Sequence, residues 1–221
     1  MKHLDKYNKF GDCRYSVTQF ISLFKEQFDK DRISKAVAYN QGKTQDEVLK
    51  EWKQAGIDGT ALHNYIEKFY NNGENAIPKT KREKVFHKFY EDHKKKITVE
   101  KIEAPIYHPK YKMPGTVDYL GYSKKLGGKI IMDWKTGKSI SKVGYGNYFE
   151  PVNHLEDSKF NEYSLQLSIY KLILEEIYGM EIKGMFLVHI LDSGYEVIPC
   201  DNLVADVQFM LLSAEFVRNL L

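Results

Sequence analysis

The clearest chemical feature of the sequence is a carboxylate and an amine at alternate positions of one apolar segment. In KIIMDWKT, Asp133 and Lys135 interrupt a run of residues that is typical of a buried strand. Side chains alternate along a strand, so Asp133 and Lys135 share one face while Trp134 points the other way. The D-x-K pattern also occurs by chance, and the alternative is a surface hairpin with ordinary charged residues.

A second carboxylate, Asp118, lies in the preceding predicted strand. If the turn between the strands is centred between Lys125 and Leu126, Asp118 lies opposite Asp133, whereas a tight turn at the following two glycines would shift this register. Like charges directly opposed across a strand pair are destabilising unless a cation lies between them. Mg²⁺ fits that need, because it binds through one or two carboxylates and keeps other positions for water and phosphate oxygens. Lys135 could then orient or help to deprotonate the attacking water and offset charge on the phosphate, which predicts phosphodiester hydrolysis.

Two pairs of polar residues at helical spacing accompany these strands. In GTALHNYIEKFY, His63 and Glu67 flank the apolar stripe and suit the wall of a site. His63 is either a structural histidine or a residue that completes the metal coordination, and we favour the metal ligand. Glu67 fits a supporting contact or a helix ion pair. Gln166 and Tyr170 could contact a substrate phosphate or brace Lys135, or could form the wet face of an amphipathic helix.

The elements that would position these residues begin with helices. After Ser16, apolar residues recur at helical spacing, namely Val17, Phe20, Ile21, Phe24 and Phe28. Thr44 and Glu47 form a capping box before VLKEWKQAG. Two further helices are predicted, at residues 59–70 and at residues 80–95.

From residue 97 the apolar period changes to two. A meander of strands is predicted at residues 97–107, 116–122 and 129–136. After a Gly-rich polar stretch, NEYSLQLSIYKLILEEIYG predicts a helix that ends at Gly179. IKGMFLVHIL and YEVIP predict a strand and its hairpin partner, and Asp201 begins a final helix that extends to Leu221. The strand–helix–strand crossover should be parallel and right-handed, which gives an α/β or α+β core.

Length and composition predict one domain over residues 1–221, because 221 residues with 43% hydrophobic content can bury a single substantial core. Residues 1–96 are its mainly helical region, residues 97–200 its sheet core with the catalytic motifs, and residues 201–221 its C-terminal helix. The net charge of +3 requires any attraction to nucleic acid to come from a local patch. The two cysteines, Cys13 and Cys200, are far apart and fit a reducing compartment. With no membrane-spanning run and no signal peptide in view, we expect a soluble, intracellular protein.

In this order, the segments GTALHNYIE, GTVDYLGY, IIMDWKTG and NEYSLQLSIY resemble the PD-(D/E)XK nuclease superfamily, and within it the RecB-like exonucleases. The resemblance covers residues 59–178. The segments SVTQF and EWKQAG are also similar to those of the mitochondrial genome maintenance exonucleases and their small phage relatives. The resemblance therefore implies a restriction-endonuclease-like core, in which a mixed central sheet is flanked by helices behind a helical N-terminal region.

The same resemblance implies roles for individual residues. His63, Asp118 and Asp133 would hold Mg²⁺ or Mn²⁺ together with the backbone carbonyl of Trp134. Asp118, Asp133 and Lys135 would be catalytic. Gln166 and Tyr170 would form the QxxxY motif of the family and bind substrate. Two cysteines are too few for the four that hold an iron–sulfur cluster in some relatives, and no GxxxxGK[ST] motif of a helicase motor occurs, so we expect a freestanding nuclease domain.

The expected partner is nucleic acid, and the resemblance implies single-stranded DNA. The basic stretches at residues 79–84 and 94–96 are weak indications, because charge runs are usually solvated helix faces. The long segment after the D-x-K strand carries more weight, since basic groups with exposed aromatic rings suit a strand of nucleic acid. Its candidate contacts are Lys138, Lys142, Tyr145, Tyr148 and Phe149.

Three functions remain open from the sequence. An exonuclease that degrades DNA from its ends, with single-stranded DNA preferred, is the leading interpretation. An endonuclease that acts on RNA or on structured DNA is the second. A nucleic-acid-binding module without activity is the third, although an inactive relative should lack Lys135 or one of the aspartates.

Overall fold

The change from helical to strand periodicity near residue 97 divides the fold. The computed structural model describes Tyr7 and residues 10–220, apart from the side chains of residues 215–220. Within this part of the chain, helices cover Val17–Ser22 (α1), Lys30–Gln41 (α2), Gln45–Asn71 (α3), Lys81–His93 (α4), Lys159–Tyr178 (α5) and Val204–Leu220 (α6). Strands cover Ile97–His108 (β1), Met113–Ser123 (β2), Gly128–Lys135 (β3), Ile182–Leu191 (β4) and Gly194–Pro199 (β5).

The long helix α3 begins at the predicted capping box. The side chain of Thr44 accepts the backbone N–H of Glu47, and the Glu47 carboxylate accepts the backbone N–H of Thr44. The separate helices predicted before and after Gly56 are one helix, because a helical glycine costs only about 1 kcal/mol and does not end a helix whose later turns are buried. Those buried turns carry Leu62, Ile66 and Phe69.

The first helix is shorter than its apolar pattern predicts. Ser16 caps α1 together with Gln19, as in a capping box, but α1 ends at Ser22. Phe28 therefore does not continue the stripe and is 65% exposed, with its ring centroid 5.8 Å from that of Trp52 in α3. An apolar stripe at helical spacing stays on one face only while the helix continues, and here the helix ends six residues before Phe28.

The central sheet has the order β1-β2-β3-β4-β5. Antiparallel pairing joins β1 to β2 and β2 to β3, as the predicted meander requires. Strand β4 pairs parallel with β3 after the crossover through α5, and β5 returns antiparallel to β4. This mixed sheet flanked by helices, with a helical N-terminal region, confirms the predicted α/β (α+β) fold class.

Each face of the sheet has its own apolar core. The face that carries Trp134 packs against α3 and α4, where Phe86 and Phe89 contact its indole ring edge-on. The opposite face, which carries Ile131, packs against α1, α5 and α6. Asp133 alternates with Trp134, so it lies on the α5 side of the sheet.

The last helix begins later than predicted. Helix α6 starts at Val204, because Asp201 and the two residues after it form an irregular connection. In this connection the backbone N–H of Leu203 donates a hydrogen bond to the Ser168 hydroxyl. The predicted end at Leu221 lies outside the described residues. No helix in the described ranges is both long and apolar enough to cross a membrane.

Candidate metal centre

The pairing of β2 with β3 positions the two aspartates. Tyr119 lies opposite Met132 and Ser123 opposite Gly128, which is the predicted register. The backbone pairing ends at Tyr119 and Met132. One residue further on, the Asp118 side chain contacts β3 instead, and its Oδ2 accepts the backbone N–H of Trp134 at 3.0 Å. Asp118 is thus fixed to β3 by a charge-assisted hydrogen bond.

Asp133 is buried and paired with Lys135. The Lys135 Nζ lies 2.6 Å from Asp133 Oδ2, and Asp133 is 2% exposed. This close ion pair, together with the charge of Asp118, holds the pKa of Lys135 above its usual value despite burial. A buried carboxylate is costly unless it is paired, and the Lys135 ammonium supplies compensating charge here.

His63 reaches the sheet from α3 and is held at both ring nitrogens. Its Nε2 lies 3.1 Å from the carbonyl oxygen of Trp134. Its Nδ1 lies 3.4 Å from Glu103 Oε1 and 3.5 Å from Asp118 Oδ2. The imidazole therefore sits between the end of β3 and two carboxylates.

A glycine one turn earlier permits this approach. A Cβ atom on Gly59 would lie 3.1 Å from Oγ1 of Thr136, directly after the D-x-K strand. A contact that short requires the neighbour to move, so the glycine lets α3 pass close to the end of β3. His63, one turn further along α3, is brought to the carbonyl of Trp134 in this way.

Glu103 on β1 is a site residue that the sequence analysis missed. Ligand atoms of His63, Glu103 and Asp118 all lie within 4.8 Å of one another. Glu103 has a φ of +48°, a left-handed conformation that side chains other than glycine adopt at a cost, often at functional sites. Nothing in the sequence distinguishes Glu103 from Glu100 on the same strand, so no signal could have selected it.

The predicted ligand set is only partly brought together. His63, Asp118 and the carbonyl of Trp134 are in mutual contact, and Glu103 joins them. Asp133 lies outside the group of close ligand atoms and is paired with Lys135 instead. Its charge nevertheless acts on both Asp118 and His63.

The electrostatics of the site follow from burial of several acids together. Burial, followed by the charge of Asp133, raises the pKa of Asp118 from 3.8 to about 7. Burial disfavours protonated His63, but the hydrogen bond to Glu103 and the charges of the two aspartates outweigh it and raise the pKa of His63 to about 9. Burial likewise opposes the charge on Lys135, yet the aspartates raise its pKa well above 10.5. The carboxylates thus stabilise the protonated forms of the two basic groups beside them, His63 and Lys135.

The donor set fits a divalent cation. One imidazole, buried carboxylates and a backbone carbonyl are ligands that Mg²⁺ and Mn²⁺ accept. Burial, and then the charge of Asp133, raises the pKa of Asp118, which indicates that the negative charge of this buried site is not fully compensated. The residues therefore fit the metal that the family resemblance implies.

The QxxxY residues lie on α5, over the same face of the sheet. Gln166 Nε2 donates to the Tyr170 hydroxyl at 2.9 Å. Tyr170 is 4% exposed, and a Cβ on Gly115 would lie 2.6 Å from its ring, so the glycine makes room for the tyrosine. Of the pair, Gln166 is the partly exposed member, and Tyr170 braces the wall of the site.

Tyr163, another residue without a sequence signal, contacts the lysine. The Lys135 Nζ lies 4.1 Å from the centroid of its ring. A cation over an aromatic face is attracted by about 0.5–2 kcal/mol, depending on solvent access. Lys135 is thus held between the Asp133 carboxylate and the Tyr163 ring.

An open cleft of about 590 Å³ leads to His63 from the β1 side. Glu67, the predicted helical neighbour of His63, lines it together with Glu103. Polar side chains of Thr60, Asn64 and Thr116 also line the cleft. The cleft is large enough for a nucleotide, and the acidic residues mark its inner end as a place for a cation rather than for a bare phosphate.

The long segment between β3 and α5 differs from expectation at one residue. Tyr145 is fully exposed and Phe149 is 49% exposed, as a nucleic-acid contact would require. Tyr148, which was expected to be exposed with them, is only 2% exposed. Its ring packs into the core around α1, where the backbone N–H of Phe149 also bonds the carbonyl of Phe24.

The two candidate lysines of this segment also differ, because one is held against α5 and the other is free of ion pairs among the described residues. Lys142 Nζ lies 4.4 Å from the ring centroid of Phe160, so its charge is held against α5. Lys138 is exposed and makes no ion pair with any residue in the described ranges.

Comparison with models of known protein families gave no match, and comparison with curated proteins gave none either. The family resemblance therefore rests on the motifs in the sequence.

Proposed function

We propose that this chain is a divalent-metal-dependent nuclease that hydrolyses phosphodiester bonds. The observation that carries the proposal is the buried pair Asp118 and Asp133 with Lys135 on the same face of the sheet. Two buried acids so close that one raises the pKa of the other are costly for a fold. Such an arrangement is typical of sites that hold a cation against a phosphate.

His63, Asp118, Asp133 and the carbonyl of Trp134 would hold Mg²⁺ or Mn²⁺, with Glu103 beside them. When bound, the cation would neutralise the carboxylates, polarise a phosphate oxygen and lower the pKa of a water.

Lys135 supplies fixed positive charge. Its raised pKa keeps the ammonium protonated at neutral pH, so Lys135 is better suited to stabilise charge on the phosphate than to remove a proton. The ring of Tyr163 and the carboxylate of Asp133 hold the ammonium in place before substrate arrives. Such preorganisation is the main way in which a protein accelerates phosphoryl transfer.

For the substrate we propose DNA ends, with single-stranded DNA preferred. The motif order resembling the RecB-like exonucleases supports this choice. The exposed aromatic rings of Tyr145 and Phe149, which follow the catalytic strand, add a surface on which unpaired bases can stack.

The test is digestion of end-labelled linear and of circular single-stranded DNA with Mg²⁺ or Mn²⁺. Wild type is compared with Asp133→Asn, with Lys135→Ala and with the control Lys129→Ala. Lys129 lies on the same strand but pairs with Glu100 near its other end, so its loss should leave the rate unchanged. We expect Asp133→Asn and Lys135→Ala to reduce cleavage of linear DNA by at least about 100-fold.

Each other outcome has a definite meaning. Cleavage of circles, or of RNA in place of DNA, would replace the exonuclease with an endonuclease at the same site. A folded wild type that binds nucleic acid without cleaving it would contradict the proposed activity and leave a binding module. If Lys129→Ala and Lys135→Ala reduced the cleavage rate equally, the activity would not be located at this site.

A further inference from the structure

Two lysine-rich segments far apart in sequence meet at the end of the sheet where β1 and β3 begin. The backbone N–H of Lys124 donates to the carbonyl of Lys96 at 3.0 Å, which joins the segment 94–96 to the turn at 124–125. All five lysines are exposed. Lys94 pairs with Glu91, whereas the remaining members of this lysine cluster have no ion pair with any residue that the structure describes, namely Lys95, Lys96, Lys124 and Lys125.

A cavity of about 280 Å³ opens beside the lysine cluster. Aromatic rings form much of its wall, and Lys94 and Lys95 lie at its lining. The Lys94 Nζ is 5.5 Å from the ring centroid of Tyr90, a cation–π distance. Of the aromatic residues of the wall, Tyr70 and Tyr90 are partly exposed and can meet a base, whereas Phe89 and Tyr119 are buried.

The cavity also contains one acid, which is already engaged. The Tyr90 hydroxyl donates to the carboxylate of Glu74. Glu91, outside the cavity, is paired with Lys94. The unpaired charge around the opening is therefore positive.

Unpaired lysines attract phosphates, and an aromatic wall accepts the flat face of a base. The volume of this cavity is sufficient for a base. We propose that this surface, the lysine cluster with its aromatic cavity, binds single-stranded nucleic acid, with phosphates on the lysines and a base in the cavity.

This surface is separate from the candidate metal centre. The turn of the lysine cluster precedes Gly128 at the start of β3, and Asp133 lies five residues further on, about 17 Å away at the rise of a strand. The cavity lies on the face of the sheet that carries Trp134, whereas Asp133 lies on the opposite face. The inference goes beyond the proposed nuclease activity, because binding here needs neither metal nor turnover. A chain without cleavage activity would still bind.

The test measures binding of a fluorescent single-stranded oligonucleotide by the full chain in EDTA, where cleavage cannot occur. One variant changes Lys95, Lys96, Lys124 and Lys125 to Ala. The matched control removes the same charge from exposed lysines that lie outside both basic stretches and away from the cavity, by changing Lys30, Lys50, Lys53 and Lys88 to Ala. We expect the first variant to raise Kd by about tenfold or more, and to reduce the salt dependence by about 0.7 for each phosphate that the protein no longer neutralises.

The cavity is tested separately at Thr98, an exposed strand residue that lines it. Thr98→Glu adds a charge that should repel phosphate, while Thr98→Gln adds similar bulk without charge. We expect Thr98→Glu to weaken binding by several fold and Thr98→Gln to do so less. An oligonucleotide with a photoreactive thymine should crosslink to Tyr70 or Tyr90, the partly exposed rings of the cavity.

Equal losses in the two lysine variants would overturn the inference, since charge anywhere would then suffice. Crosslinks confined to the cleft at His63, or tighter binding of duplex DNA or anionic vesicles than of single strands at this surface, would overturn it as well. Because no readout depends on cleavage, these outcomes stay distinct from failure of the proposed nuclease activity.

Discussion

The Nδ1 atom of His63 lies 3.4 Å from Oε1 of Glu103, although forty positions separate the two residues in the chain. The Nε2 atom on the other side of the ring faces the Trp134 carbonyl at 3.1 Å. The orientation of the ring is therefore set by Glu103 as much as by the end of β3. A histidine fixed in this way keeps one geometry toward a metal, which strengthens coordination.

Replacement of Glu103 by Gln should weaken the binding of Mn²⁺ by about tenfold, because a charged oxygen beside His63 and Asp118 is removed. Titration followed by electron paramagnetic resonance of free Mn²⁺ measures this directly, without any cleavage assay. Glu100→Gln on the same strand is the control and should bind as wild type does. Equal affinities for wild type and Glu103→Gln would exclude Glu103 from the centre.

The stability of the metal-free protein should fall as pH rises, in two windows. Asp118 holds its proton up to a pKa of about 7 in the folded state against 3.8 as its usual value, so its contribution to stability is lost between those pH values. The second window comes from His63, whose pKa is raised from 6.5 to about 9 in the folded state. Its contribution to stability is complete below pH 6.5 and is lost as pH rises through about 9. Thermal unfolding in EDTA across this range measures both, and added Mn²⁺ should flatten the decline.

Asp118→Asn should separate the first window from the second. Asn can still accept the N–H of Trp134, but it carries no charge at any pH. In EDTA, the difference in unfolding midpoint between Asp118→Asn and wild type should be smallest near pH 3.8. It should grow in favour of the variant as pH rises to about 7, by about 3 °C for each kcal/mol of relieved repulsion. Cleavage should be lost at the same time. A variant less stable than wild type at every pH would contradict the view that Asp118 is an uncompensated charge.

The ring of Tyr163 should matter for rate rather than for substrate affinity. Tyr163→Leu removes the aromatic face 4.1 Å from Lys135 Nζ, so the single-turnover rate should fall by about tenfold with KM little changed. Tyr163→Phe keeps the face and should retain most of the rate. If Phe and Leu reduce the rate equally, the hydroxyl rather than the ring would be the active feature.

The sequence predicted those parts of the site that are encoded by spacing within one strand or one hairpin. Asp133 and Lys135 share a face because strands alternate, and the pairs from Ser123–Gly128 to Tyr119–Met132 follow the predicted register, which brings Asp118 close to the Asp133 end of β3. Glu103 could not be found in this way, because its role depends on the antiparallel partner of β2 and on a left-handed backbone that no local pattern announces.

Burial of irregular segments was equally hard to predict. Tyr148 and Phe149 are adjacent aromatic residues in a polar stretch, yet one is buried and the other is half exposed. The difference in burial comes from the tertiary contact of this stretch with the region around α1, where the backbone N–H of Phe149 donates a hydrogen bond to the carbonyl of Phe24. Periodicity carries no information in a segment without regular structure.

Gly59 should be required for activity more than for folding. In Gly59→Ala, the new Cβ would lie 3.1 Å from Thr136 Oγ1, which must push α3 and the end of β3 apart. Alanine also favours a helix by about 1 kcal/mol, so overall stability should change little while the cleavage rate falls. Gly56→Ala is the matched control, because its Cβ would meet nothing within 4 Å, and it should be more stable with an unchanged rate. Adding Thr136→Ala to Gly59→Ala removes the clashing oxygen and should restore the rate. Failure of that rescue, with Thr136→Ala alone fully active, would mean that close packing at residue 59 does not position His63.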